Sequence, residues 1–184
     1  MTFNNKHIIG ILFLMVILTS CKSEIKNQTN ENTFPVVIER YSRSKFHHSD
    51  TTTLTIRKND SISFHLFGLE NDGEYETTMD LPFEFNQNDS FQILMNNIPL
   101  KLINEKQYSD KNKLLKVKKY YYDVENEIDE EGNFFVMEER IIAYSSDAWN
   151  LQKFYKYEDP KITELLKKDT TDFFYRFKSD RIIE

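Results

Sequence analysis

The chain has 184 residues, with 24 Lys and Arg against 30 Asp and Glu, a formal net charge of −6 at neutral pH. That length suits one domain with a sizeable core, and the acidic balance argues against a nucleic-acid partner. A lone cysteine excludes an intramolecular disulfide framework, so burial must hold the fold together.

In chain order, the first segment carries Lys6 and His7 and then runs into Ile8–Leu18, "IIGILFLMVIL", which holds no charge. A short basic start followed by an apolar run is the pattern of a secretory signal. The run is too short for a bilayer span, which takes about 20 apolar residues. Leu18, Thr19, Ser20 and Cys21 close it.

This "LTSC" quartet resembles the lipobox of bacterial lipoproteins. The resemblance implies cleavage before Cys21, a diacylglycerol on its sulfur and an acyl group on the new amino terminus. These covalent lipids are the only cofactor expected. It also implies a cell-envelope protein held to a membrane. Lys22 stands where enteric-type lipoproteins retained at the inner membrane often carry aspartate, which favours the outer membrane. Only a thiolate forms the thioether readily, and each buried methylene of an acyl chain adds about 0.8 kcal/mol of anchoring.

Residues 1–20 thus read as signal peptide, 21–33 as lipidated cysteine and tether, and 34–184 as a single β-rich domain. The tether, "KSEIKNQTNENT" (Lys22–Thr33), has one apolar residue and cannot bury surface. As a flexible chain it reaches about 20 Å.

"TLTIR" and "SISFHLF" alternate, with Leu54 and Ile56 on one face and Ile62, Phe64 and Leu66 together, so Thr52–Phe67 reads as a hairpin. "FQILMNNIPLKLI" reads as a second hairpin. Asn96-Asn97 accept the positive φ angles of a tight turn, and Pro99 belongs at an edge or bulge. The longest signal is two apolar runs around an acidic turn, from Lys113 to Ser146. In the second run Phe135, Met137, Ile141 and Ala143 share one face, and Phe134, Val136, Ile142 and Tyr144 the other. Apolar residues on both faces place this run inside the sheet. "AWNLQKFYKYE" adds a strand, with Trp149 returning to the core from the "SSDAW" turn.

One helix is predicted. In "EDPKITELLKKD", Asp159 caps, Pro160 opens the helix, and Ile162, Leu165 and Leu166 form its buried stripe. The tail "DFFYRFKS" suits a strand or an amphipathic helix. The fold class is mainly β: an antiparallel curved sheet, sandwich or partly open barrel with one short carboxyl-terminal helix.

Three groups of residues are candidate sites. Glu127, Asp129, Glu131, Gly132 and Glu138 fall at calcium-loop positions of the EF-hand pattern, which they resemble in part, although strands flank them. His48, Asp50 and His65 offer three zinc ligands, whereas His47 and His48 point to opposite faces of a strand. Tyr120 and Tyr122 share a strand face with Lys116 and Lys118, and with Trp149 they offer flat rings for binding. No nucleophile elbow or glycine-rich phosphate loop occurs. The first expectation is a non-catalytic β domain that binds a protein or another envelope component, an inhibitor or immunity protein being one case. A carrier of a hydrophobic ligand and a metal-dependent hydrolase are the alternatives.

Overall fold

Val36, Ile38, Leu54 and Ile56 alternate with exposed neighbours along two paired strands, and their shared face becomes the inside of the fold. The computed structural model describes residues 30–174, apart from 44, 60, 69, 72–75, 78–82, 88–91, 112, 126–130 and 147. Cys21 and most of the tether therefore lie outside the described residues. β1 (Asn30–Ser42) pairs along its length with β2 (Lys45–Lys58). Asn30–Thr33, read from sequence as tether, are already strand: their backbone bonds to Thr55–Lys58 need no buried side chain.

The chain then meanders. β3 (Ile62–Phe67) pairs with β2, β6 (Phe83–Asn86) with β3, β7 (Gln92–Met95) with β6, and β8 (Ile98–Pro99) with β7. β4 (Glu70–Asn71) and β5 (Glu76–Thr77) form a separate small ribbon. A second meander follows: β9 (Lys101–Asp110), β10 (Lys113–Tyr122), β11 (Gly132–Met137), β12 (Arg140–Ser146) and β13 (Leu151–Lys156). β13 returns to pair with β1, so eleven strands make one antiparallel sheet, ordered β8-β7-β6-β3-β2-β1-β13-β12-β11-β10-β9.

The two edge strands of that sheet, β8 and β9, are consecutive in sequence and separated by Leu100 alone. Adjacent Cα atoms lie about 3.8 Å apart, so the sheet must curl until its edges meet at this point. The result is a nearly closed, barrel-like sheet. Leu100 is buried inside it, and its N–H donates to the carbonyl of Ile93 at 2.8 Å. Pro99 sits on the edge, where a missing donor costs no ladder bond. Asn96 and Asn97 take φ angles of 50° and 64°, as their hairpin turn requires.

Two apolar clusters lie on the sheet's opposite faces. The interior one gathers Phe67, Phe83, Phe85, Ile93, Tyr122, Phe134, Val136 and Tyr155, drawn from both meanders. The outer one lies mainly on the second meander, with Tyr41 of β1 at its margin: Val117, Phe135, Ile142 and Phe154 lie under α1 (Lys161–Lys167) and the Phe173-Phe174 turn. A seven-residue helix is unstable alone. Ile162 and Leu166 hold it, each burial contributing about 1.5–3 kcal/mol. Asp159 Oδ1 accepts the Lys161 N–H at 3.2 Å, while Pro160 occupies the N-cap position itself. Asp169 then fastens the following turn to β9. It accepts bonds from Lys106 Nζ (2.8 Å), the Tyr108 hydroxyl (2.5 Å), and the Thr171 N–H and hydroxyl (2.8 and 2.6 Å).

Several facing assignments change. In β3 it is Ser63, His65 and Phe67 that point inward, while Ile62, Phe64 and Leu66 are half-buried outside, because Leu54 pairs with Phe67 and Ile56 with His65. The apolar run 133–146 is two strands, not one, turning at Glu138-Glu139, with Glu138 at φ 56°. A bulge in β12 then sends Ile141 inward and both Ile142 and Ala143 outward. Trp149 does not return to the core; it is 64% exposed in the β12–β13 turn. The described part of the tail, Thr170–Phe174, is turn rather than strand or helix.

Candidate functional site

The interior cluster fills the middle of the barrel and stops short of one end. There a cleft of about 1030 Å³ opens between the two meanders. One wall comes from Asn32, Phe34, Ile56 and Lys58 on β1 and β2. The other comes from β10 and the β11–β12 hairpin, including Lys116, Lys118, Val136 and Arg140. Phe34 and Leu114 leave apolar surface beside a rim rich in cations, over buried Ile56 and Val136.

Glu139 spans the rim. Its carboxylate takes an ion pair from Lys58 at 2.7 Å and a short hydrogen bond from the Gln87 amide. The contact ties the β11–β12 turn to the far wall. Arg140 lies beside it, its guanidinium 5.3 Å above the Tyr157 ring. Lys116 pairs with Glu105 at 2.8 Å.

His65 lines the cleft at its inner side and is only 1% exposed. Its ring rests on Phe85, 4.3 Å between centroids. Nε2 shares a 2.8 Å hydrogen bond with Ser63 Oγ, and Nδ1 has no partner among the described residues. Burial, assisted by the charges of Lys58 and Arg140, pushes the imidazole down to about 4, so it is neutral at pH 7.

The zinc candidates are not brought together. His65 faces Ile56, eight residues along β2 from His48, which at about 3.3 Å per residue is roughly 26 Å. His48 Nε2 lies 3.0 Å from Asp50 Oδ2 instead, with Arg40 Nε at 3.9 Å from the same oxygen. His47 and His48 are not on opposite faces: a bulge opposite Arg40 and Tyr41 sets their rings side by side, 4.6 Å apart. Among the described residues, no three His, Cys, Asp or Glu side chains gather as a metal site.

Of the calcium-loop residues, Glu127 and Asp129 lie outside the described residues. Glu131 accepts the Tyr121 hydroxyl at 2.7 Å at the start of β11, and Glu138 is in the turn beyond its end. A strand separates those two carboxylates by roughly 20 Å, so one ion cannot bridge them in this arrangement. Tyr120 and Tyr122 are buried in the interior cluster rather than displayed for binding, and burial with nearby Glu105 pushes the Tyr120 phenol up to about 12. Sequence reasoning missed Lys58, Glu139, Gln87 and Arg140, which carry no motif. It found His65 but gave it the wrong neighbours.

No helix among the described residues is long and apolar enough to cross a membrane. No protein-family profile, curated protein or solved structure matches this chain.

Proposed function

We propose that the chain is a lipid-anchored, non-catalytic binding protein of the cell envelope, and that it takes its ligand in the cleft at the end of the barrel. The anchor rests on the lipobox resemblance at Leu18–Cys21. The cleft carries the binding reading: its volume is of the size that small-molecule sites occupy, and its lining joins apolar side chains to many charged and polar ones that can orient a ligand. The Ser63 hydroxyl lies 2.8 Å from the imidazole Nε2, and both residues are buried, so the pair presents little accessible surface to a substrate. The filled middle of the barrel favours a ligand held at the mouth over one swallowed whole.

Photo-cross-linking in intact cells tests this reading. A benzoylphenylalanine placed at Gln87, on the rim, should capture one small-molecule adduct, whereas the same probe at Trp149 should not. Capture of a single protein from Gln87 would instead support the alternative of a protein partner, and equal capture from both positions would refute a site in the cleft.

A further inference from the structure

We infer that the ligand is an anionic amphiphile, whose charged head sits between Lys58 and Arg140 with one oxygen on His65 Nδ1, and whose alkyl segment lies over Phe34 and Leu114. The inference rests on the cleft reading above and deepens it.

His65, in the wall of the cleft and 1% exposed, has at Nδ1 a polar nitrogen without a partner among the described residues, and this is the primary observation. Leaving such a group unpaired costs about 1–3 kcal/mol, so a group that supplies the missing bond binds with that advantage. The Ser63 Oγ–His65 Nε2 hydrogen bond takes its direction from the ring tautomer. In the tautomer in which the Ser63 hydroxyl donates to Nε2, the single proton of the neutral ring sits on Nδ1, and an acceptor on the ligand selects that tautomer. A donor calls for an acceptor oxygen on the ligand.

Charge is the second observation. Lys58 from β2 and Arg140 from β12 approach the imidazole from opposite walls, closely enough that both disfavour a proton on it. The same field that repels a proton attracts an anion. Glu139 already engages Lys58, which shows that this spot accommodates a carboxylate opposite the ammonium. Arg140 lies over a ring face and is in no ion pair among the described residues, so its guanidinium can take a ligand oxygen. The apolar wall is the third observation. A free inorganic anion would leave half-buried Phe34 and exposed Leu114 facing water, whereas an alkyl chain covers them.

The test uses the full lipidated chain in phosphatidylcholine nanodiscs with ¹⁵N-labelled histidine, the His65 signals being assigned from His65→Gln. Decanoate, decyl phosphate, decanol and inorganic phosphate are titrated in turn. Decanoate or decyl phosphate should shift the His65 Nδ1 resonance saturably, with one equivalent bound. Decanol and inorganic phosphate should each bind at least about tenfold more weakly. Arg140→Gln and Lys58→Gln should each weaken the anion about tenfold while leaving far-ultraviolet dichroism and the thermal unfolding transition unchanged, which shows the barrel intact. The relative strength of decanoate and decyl phosphate identifies the head group. Equal binding of decanol and decanoate at the cleft would overturn the anionic head and leave the cleft reading standing. If no probe moves His65 and cross-linking from Gln87 captures nothing, both fall.

Discussion

Asp169→Asn replaces a carboxylate by an amide of the same shape, and its effect can be worked from the contacts. The Asp169 side chain is 2% exposed. Burial alone would raise its pKa; the bonds from Lys106, Thr171 and Tyr108 outweigh that and bring it from 3.8 to about 2. Each unit is worth about 1.36 kcal/mol, so the charged form contributes about 2 kcal/mol to folding at neutral pH. The folded pKa lies below the unfolded one. The contribution is therefore complete above about pH 4 and fades as pH falls through the folded value near 2. Urea unfolding of wild type and Asp169→Asn, followed by aromatic fluorescence, should show the mutant about 2 kcal/mol less stable at pH 7. The two should converge by pH 2. Hydrogen exchange should place the loosening in α1 and the Phe173-Phe174 turn, which Asp169 fastens to β9. A stability difference that stays constant from pH 7 to pH 2 would refute this assignment of the carboxylate.

Phe174→Ala empties a fully buried site between Phe135 and Phe154 and should cost about 3–5 kcal/mol, read by the same unfolding assay. Gly132→Ala would put a methyl 2.5 Å from the Tyr144 ring. It should destabilise by about 1–3 kcal/mol, with Tyr144 near-ultraviolet dichroism changing as the ring is displaced. Trp149→Ala should change stability by less than about 0.5 kcal/mol, because the ring is exposed. Cys21→Ser should abolish incorporation of radiolabelled palmitate and leave the chain uncleaved, as followed by gel mobility.

The fold class was legible because alternation survives in β2, β6 and β7, and because Asn96-Asn97 and Pro99 have a turn and an edge as their only comfortable places. Facing in β3 was not. There the apolar set Ile62, Phe64 and Leu66 lost to the hairpin: Asn59 N–H bonds the Ile62 carbonyl at 3.0 Å, closing a four-residue loop after which Lys58 pairs with Ser63. Loop length sets register, and register turns His65 inward. Bulges misled in the same way at His47 and Ile142, since a one-residue slip reverses every later side chain and no composition signals it. The cleft could not be read at all. Lys58 and Glu139 are 81 residues apart and meet only when the sheet curls. That closure depends on the junction at Leu100, which resembles an ordinary hairpin continuation in sequence.

Native mass spectrometry of the lipidated protein, released gently from its own membranes, tests the binding account most directly. The wild-type chain should carry one small-molecule adduct beyond the acyl groups on Cys21, and a double variant that fills the cleft, Asn32→Trp with Gln87→Trp, should carry none while remaining folded. An adduct retained by the filled variant, or a wild type that carries only its acyl groups, would contradict the account.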